Sequence, residues 1–217
     1  MTERDTLIFD LDGTLLNTLE DLWASVNYAL AQNRYPLRSQ QEVRSFLGNG
    51  VVVLIGKSVP EGSSKEEVER VLSTFRPYYV AHAMDRTCPY DGVLEMLGKL
   101  KRAGYKISIV SNKPDAAVQE LYERFFKDVV DVAIGERPEV RRKPAPDMVM
   151  KAMELLDSDT SHSVYIGDSE VDMATARNSG LPCISVSWGF RDRDFLVDNG
   201  ATMLIDSPVE ILKKLSE

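Results

Sequence analysis

Cysteine, basic charge and long apolar runs are all scarce in this sequence, and each scarcity excludes a class of protein. The two cysteines, Cys88 and Cys183, lie far apart and form no C-x-x-C pair, so we expect neither a disulfide framework nor a zinc site. A reducing compartment is the simplest expectation. Residues 1–5 are polar and lead into an apolar stretch far too short for a signal peptide or a membrane span. We therefore predict a cytoplasmic protein with no membrane partner.

Basic residues are outnumbered by acidic ones. The 217 residues include 26 Lys and Arg against 34 Asp and Glu, which leaves a formal net charge of −8. The longest basic run is Arg141-Arg142-Lys143, too short to hold a polyphosphate backbone against that overall charge. We predict no nucleic-acid partner. An anionic ligand should bind only at a compact site where a metal or local cations override the global field.

Short apolar segments alternate with helical patterns along most of the chain. Hydrophobic residues make up 43% of it, enough for one core with a small additional domain. Strands are predicted at residues 7–9, 107–110, 129–134, 164–166, 183–186 and 203–205. Helices are predicted at residues 93–102, 146–156, 172–178 and 208–215. This alternation predicts an α/β fold, a Rossmann-like parallel sheet with helices on both faces.

One long segment, from about residue 16 to residue 86, interrupts the alternation. It shows no convincing strand, and apolar residues follow helical spacing within 19–30 and again within 68–82. Two such amphipathic helices indicate a small inserted bundle. We therefore expect a sheet domain made of residues 1–16 and 87–217, and an inserted helical domain made of residues 17–86.

Polar residues follow the predicted strands at the positions where ligands bind in open parallel sheets. They are Asp10, Asp12, Ser111, Asn112, Lys113, Asp168 and Asp172, with Lys143 before the helix that leads into the fourth strand. Taken singly, each residue has an ordinary structural explanation as a turn, a helix cap or a surface charge. Their convergence on one edge of one sheet is what indicates a site.

Crowded carboxylates at this edge call for a cation. Asp10 and Asp12 alternate along an extended segment, so both can face one site, and neighbouring carboxylates raise each other's pKa unless a positive charge intervenes. Mg²⁺ is the natural candidate because it prefers hard oxygen ligands, and Asp168 would complete its site. We expect Asp172 to accept a hydrogen bond from a metal-bound water or from Lys143.

These residues resemble the sequence motifs of the haloacid dehalogenase-like (HAD) hydrolase superfamily. Asp10-Leu11-Asp12-Gly13-Thr14-Leu15 resembles its first motif, Val110-Ser111-Asn112 its second, Lys143-Pro144 its third, and Gly167-Asp168 through Asp172 its fourth. The motifs occur in order and span nearly the whole chain. The helical insertion resembles the cap domain of the subfamily that includes the phosphoglycolate phosphatases, in which case the fold is a HAD core with an α-helical cap.

The resemblance implies a phosphatase mechanism. Asp10 would attack phosphorus and form an aspartyl-phosphate, while Asp12 would act as general acid and then general base. Mg²⁺ would be held by the Asp10 side chain, the Asp12 main-chain carbonyl and Asp168, with Asp172 behind them. Ser111, the Asn112 amide and Lys143 would bind the remaining phosphoryl oxygens, and Lys143 would also balance the charge on Asp10.

Several related activities stay open at this stage. Members of the superfamily that act as dehalogenases or phosphonate hydrolases lack the second aspartate of the first motif, so Asp12 argues against both. A hexose-phosphate mutase similar to β-phosphoglucomutase would keep Asp12, and a non-catalytic binding module would keep the fold without the reaction.

The substrate depends on the helical insertion. Its candidate contacts are the Gly48-Asn49-Gly50 loop and Lys57, whose ammonium group would meet a second anionic group. The resemblance makes 2-phosphoglycolate the leading small phosphorylated metabolite, with pyrophosphate and nucleoside monophosphates as alternatives. A monomer and a homodimer are both compatible with the sequence.

Overall fold

The computed structural model describes residues 4–215. Its strands are β1 (Thr6–Phe9), β2 (Leu16–Asn17), β3 (Cys88–Pro89), β4 (Lys106–Pro114), β5 (Val132–Glu136), β6 (Ser163–Gly167), β7 (Cys183–Val186) and β8 (Met203–Ile205). Its helices are α1 (Leu19–Gln32), α2 (Gln40–Phe46), α3 (Val51–Ser58), α4 (Lys65–His82), α5 (Val93–Arg102), α6 (Asp115–Phe125), α7 (Asp147–Leu155), α8 (Glu170–Asn178), α9 (Arg193–Asp198) and α10 (Glu210–Leu215).

Six strands form one parallel sheet in the order β5-β4-β1-β6-β7-β8. After β1 the chain builds the sheet outward on one side through β4 and β5, and then crosses to the other side at β6. The strand order therefore reverses at β1, and ligands bind at the carboxyl ends of the strands around such a reversal. Apolar side chains bury the sheet against α7 and α8, with Ile8, Val110 and Tyr165 among the residues of that core.

The chain forms two compact units. Residues up to Leu16 and from Pro89 onward form the sheet unit, and Asn17–Cys88 form the inserted unit. Within the inserted unit, α1 packs against α4 through fully buried residues such as Val26, Leu30 and Leu72. The predicted α/β fold with an inserted helical domain is confirmed.

Several elements differ from the sequence prediction. The inserted unit contains four helices, because two short ones, α2 and α3, lie between the two that the apolar spacing indicates. Helix α6 was not predicted, and β5 lies toward the C-terminus of the predicted segment 129–134 because a turn occupies its first residues. The strand predicted at 107–110 extends through Pro114. Among the described residues, no helix combines the length and the apolar character needed to cross a membrane.

Candidate active site

Neighbouring strands deliver the predicted site residues to one edge of the sheet. Asp10 and Asp12 follow β1, residues 111–113 form the last part of β4, and Asp168 follows β6. Because β1 pairs in parallel with both β4 and β6, the carboxyl ends of these three strands lie side by side. The structure thus brings together residues as far apart in the chain as Asp10 and Asp172.

Lys143 lies at the centre of this cluster and is almost completely buried. Its Nζ donates hydrogen bonds to Asp10 Oδ1 at 2.6 Å, to Asp172 Oδ1 at 2.8 Å and to the Tyr165 hydroxyl at 3.1 Å. Burial alone would lower the pKa of Lys143, but the facing carboxylates of Asp10 and Asp172 raise it well above its ordinary value. The ammonium group is therefore charged and fixed between two carboxylates.

Three buried carboxylates crowd around that lysine. Asp10, Asp168 and Asp172 each offer an oxygen, and these oxygens all lie within 4.8 Å of one another. Burial raises the pKa of Asp10 to about 7; Lys143 opposes the shift and Asp172 adds to it. Burial, followed by the charges of Asp172 and Asp10, also raises the pKa of Asp168 well above its ordinary value. One ammonium group does not neutralise three carboxylates, so the cluster favours a further cation.

The donor set fits Mg²⁺. Carboxylate oxygens are the hard ligands that this ion prefers, and a divalent charge would offset the mutual repulsion of the cluster. Both oxygens of Asp172 already accept two hydrogen bonds each: Oδ1 from Lys143 and Tyr165, and Oδ2 from the backbone N–H and hydroxyl of Ser169. This arrangement suits Asp172 to a supporting position and leaves Asp10 and Asp168 as the better direct ligands.

The Asp12 carboxylate lies outside the group of three. It pairs instead with Lys113, whose Nζ contacts Asp12 Oδ1 at 2.8 Å and Oδ2 at 3.1 Å. The Lys113 side chain is only 4% exposed, whereas that of Asp12 is 20% exposed. The two aspartates of the first motif thus have different lysine partners, Lys143 for Asp10 and Lys113 for Asp12.

The end of β4 also positions Ser111 and Asn112. The Asn112 side-chain amide forms two hydrogen bonds with the Lys143 backbone: Nδ2 donates to the carbonyl oxygen at 3.1 Å, and Oδ1 accepts from the N–H at 2.8 Å. Asn112 therefore fixes the loop that carries Lys143. Ser111 Oγ accepts from the Lys113 backbone N–H at 3.2 Å, and its hydroxyl hydrogen remains available for a phosphoryl oxygen.

Glycines let two loops approach Asp168. Gly13 adopts φ +91°, and a Cβ atom there would overlap the Asp168 carboxylate. A Cβ atom at Gly189 would overlap both Asp168 Cβ and the Gly13 carbonyl oxygen. The following residue, Phe190, donates its backbone N–H to Asp168 Oδ2 at 2.6 Å. Asp168 is therefore held by close packing of backbone around it as well as by hydrogen bonding.

The remaining predicted contacts lie in the inserted unit. Gly48 and Gly50 adopt positive φ angles of 105° and 79°, and Gly50 directly precedes α3. The Gly48-Asn49-Gly50 loop is partly exposed, and Lys57 in the last turn of α3 is exposed. Contact of these residues with a substrate stays a prediction.

Sequence reasoning missed several residues that shape the site. Tyr165 looked like an ordinary member of an apolar strand, and its hydroxyl contact with Lys143 depends on tertiary structure. Ser169 had a detectable signal, because Ser-x-x-Asp is a capping-box pattern, and Ser169 and Asp172 do form that box at the start of α8. Lys113 was recognised only as part of a strand-end loop.

Asp10 lies at the strand-order reversal, bridged by Lys143 to Asp172 and close to Asp168, as the sequence motifs led us to expect. The family model described as haloacid dehalogenase-like hydrolase matches residues 7–186, and the chain belongs to that family. The resemblance and the HAD fold expected from the sequence motifs are confirmed.

Similarity to curated relatives and to a solved structure indicates which kind of hydrolase within the family this chain resembles. The chain is 31% identical over 194 residues to a phosphoglycolate phosphatase of Mesorhizobium japonicum, covering 88% of this chain and 86% of the relative. It is 34% identical over 192 residues to one of Cereibacter sphaeroides, covering 85% and 86%. A crystal structure from Lactobacillus delbrueckii subsp. bulgaricus, provisionally named a phosphoglycolate phosphatase, superposes with a TM-score of 0.95 at 37% identity and covers 99% of both chains. The protein is therefore an enzyme, a hydrolase of phosphatase type.

Proposed function

We propose that this protein is a Mg²⁺-dependent phosphatase that hydrolyses a small phosphate monoester through an aspartyl-phosphate on Asp10, with 2-phosphoglycolate as the leading substrate. The observation that carries the proposal is the contact between Lys143 Nζ and Asp10 Oδ1 at 2.6 Å inside a buried cluster of carboxylates. A nucleophilic carboxylate must be ionised, and the adjacent ammonium group favours its ionised form.

The chain's own residues account for both half-reactions. In the first, an Asp10 oxygen forms a bond to phosphorus as the bond from phosphorus to the ester oxygen breaks, and Asp12 donates a proton to that leaving oxygen. In the second, Asp12 takes a proton from a water molecule that attacks phosphorus, and the bond to Asp10 breaks to release phosphate. Ser111, Asn112 and Lys143 supply donors and positive charge to the phosphoryl oxygens throughout.

A cation completes the electrostatics of the site. Bound Mg²⁺ would offset the negative charge of the phosphoryl group and of the carboxylates, with Asp10, the Asp12 main-chain carbonyl and Asp168 as proposed ligands. Asp172 would keep Lys143 in place, as its hydrogen bond to Nζ at 2.8 Å supports.

We assign substrate selection to residues 17–86 as a cap domain. The names of the curated relatives support 2-phosphoglycolate. Lys57 and the Gly48-Asn49-Gly50 loop are the proposed contacts for the part of the substrate beyond its phosphate, where the carboxylate of phosphoglycolate would need a cation. A cytoplasmic location and a monomeric or homodimeric state stay predictions.

The proposal is tested by initial-rate kinetics with and without Mg²⁺ on 2-phosphoglycolate, pyrophosphate, nucleoside monophosphates and β-glucose 1-phosphate. We expect the highest kcat/KM for 2-phosphoglycolate, by more than about a hundredfold if the enzyme is dedicated to it. Asp10→Asn should abolish phosphate release while leaving the circular dichroism spectrum unchanged. Asp157→Asn is the matched control, because it makes the same change at a residue remote from the site.

Each alternative outcome has a distinct signature. Isomerised sugar phosphate without phosphate release would establish a mutase. Residual turnover of a few per cent in Asp10→Asn would overturn the nucleophile assignment, and the absence of Mg²⁺-dependent release from every ester would favour a binding module.

A further inference from the structure

The ion pair between Lys113 and Asp12 has no part in the mechanism described so far. Lys113 Nζ contacts both oxygens of one carboxylate, and its side chain is as thoroughly buried as that of Lys143. Lys113 and Asp12 are 101 positions apart in the chain and are brought together by the parallel pairing of β4 with β1.

Stability is a poor explanation for such a pair. Removing an ammonium group from water is costly, and a largely buried ion pair often contributes no more than apolar side chains of similar volume. Met at position 113 would fill a similar volume without that cost. A lysine at this position is better explained by what it does to the orientation of Asp12.

The orientation of the Asp12 side chain needs a constraint because other carboxylates lie close to it. Asp10, Asp168 and Asp172 gather their carboxylate oxygens within 4.8 Å of one another, and Asp12 follows Asp10 by two residues. A fourth carboxylate in that field is repelled by the other three and attracted by any cation bound among them. The contacts to Lys113 hold both of its oxygens outside the group.

The backbone of Lys113 engages a second predicted site group. Its N–H donates to Ser111 Oγ, so this hydroxyl accepts from Lys113 and can direct its own hydrogen elsewhere. One residue thus contacts a proposed phosphate-binding hydroxyl through its main chain and the proposed acid/base through its side chain.

We propose that Lys113 is a positioning residue that aims the Asp12 carboxylate at the oxygen of the leaving group. The inference deepens the proposed function and rests on it. Proton transfer requires the acid within hydrogen-bonding reach of the leaving oxygen, and fixing both carboxylate oxygens removes the side-chain rotations that would take Asp12 out of reach.

The test uses the dependence of rate on the leaving group. An alkoxide leaves only if it is protonated, whereas 2,4-dinitrophenolate leaves readily without a proton. In Lys113→Met, we expect kcat/KM for an alkyl phosphate to fall by about a hundredfold or more. For 2,4-dinitrophenyl phosphate we expect a loss of less than about threefold, because general-acid help then contributes little. The ratio kcat/KM is used because it reports the first phosphoryl transfer and not hydrolysis of the intermediate.

Two reference variants make the pattern specific. Asp12→Asn should show the same selective loss, and Lys113→Met combined with Asp12→Asn should lose little more than Asp12→Asn alone, because the lysine acts through the aspartate. Lys127→Met is the control for the loss of a lysine, since Lys127 is exposed and remote from the site. Lys113→Gln provides a second variant in case Lys113→Met does not fold, as judged by circular dichroism and urea unfolding.

The outcomes separate this inference from the proposed function. An equal loss for alkyl and dinitrophenyl esters would overturn the positioning role and indicate either phosphate binding, if KM rises, or general structural support, if the stability falls in parallel. The positioning role would also be overturned if the losses in kcat/KM caused by Lys113→Met and Asp12→Asn were fully additive in the double variant. If the unmodified enzyme hydrolysed none of the esters, the proposed function itself would fail, and this inference with it.

Discussion

The sheet unit and the inserted helical unit both bury charged side chains, but they satisfy them in different ways. In the inserted unit, Asp21 is the one charged residue buried among those described. Its carboxylate accepts hydrogen bonds from the N–H groups of Arg86 and Thr87 and from the Thr87 hydroxyl. In the sheet unit, Asp10, Asp168 and Asp172 face one another.

The difference distinguishes a structural charge from a functional one. The carboxylate of Asp21 is fully provided with donors by its own unit, so it serves to hold the chain near Arg86 against α1. The carboxylates of the sheet unit keep unfavourable like charges, which is the condition that favours binding of a cation. Three predictions test this contrast.

The largest effect is expected for Lys143→Met. The substitution removes the positive charge beside Asp10 and, in the proposed mechanism, beside the phosphoryl oxygens, so we expect kcat/KM to fall by about a thousandfold. Steady-state kinetics at saturating Mg²⁺ measures it. Lys151→Met on α7 is the control, because Lys151 is exposed and pairs with Glu154, which is also exposed. A loss below about tenfold would mean that Lys143 is a structural charge like Asp21.

A smaller effect, on stability, is expected for Asp21→Asn. The amide cannot accept the full set of charge-assisted hydrogen bonds from residues 86 and 87, so we expect the free energy of unfolding to fall by about 2 kcal/mol. Urea denaturation followed by far-UV circular dichroism measures the change. Asp85→Asn is a suitable control because that carboxylate is exposed. An unchanged unfolding midpoint would remove the structural role assigned to Asp21.

The smallest effect concerns pH and Mg²⁺. With the pKa of Asp10 raised to about 7, this carboxyl is mostly protonated at pH 6 and mostly ionised at pH 8, and Mg²⁺ must displace the proton. We expect the Kd for Mg²⁺ to rise about tenfold from pH 8 to pH 6, with proton release on binding.

The same shift has a consequence for stability without metal. A carboxyl group whose pKa is higher in the folded than in the unfolded protein favours unfolding once it ionises, so its contribution makes the metal-free protein less stable as pH rises from about 4 to about 7. Isothermal titration calorimetry in two buffers measures the Kd for Mg²⁺ and the proton release. Thermal unfolding with EDTA measures the pH dependence of the stability of the metal-free protein. Asp10→Asn should weaken both pH dependences and leave the part that comes from Asp168, whose pKa is also raised. A Kd that did not change with pH would contradict the raised pKa of Asp10.

Apolar patterns predicted the parts of the fold that depend on local sequence. The limits of α5, β7 and β8 were predicted to the residue, because each is a periodic or continuous apolar segment between clear stop signals. The four sequence motifs also indicated Asp10, Lys143 and Asp168, which the structure brings into one cluster. Segments that carry such motifs can be recognised from the amino-acid sequence alone.

Other features were invisible in the sequence because they depend on distant partners. β4 continues through Ser111 to Lys113, polar residues that remain extended and buried only because their partners come from other strands and loops. Lys113 pairs with Asp12, and Asn112 forms hydrogen bonds with the Lys143 backbone. Neither contact produces a periodic pattern in the sequence. Short helices such as α2 and α3 escaped notice because they are too brief for an apolar stripe to stand out.

The glycines beside Asp168 have a consequence for genetics. In a library that places every amino acid at every position, Gly13 and Gly189 should tolerate substitution as poorly as Asp10, although neither glycine has a side chain. A map of mutational intolerance would therefore include positions that must remain free of a side chain so that Asp168 can occupy its place. Interpreting every intolerant position as reactive would overestimate the number of catalytic residues.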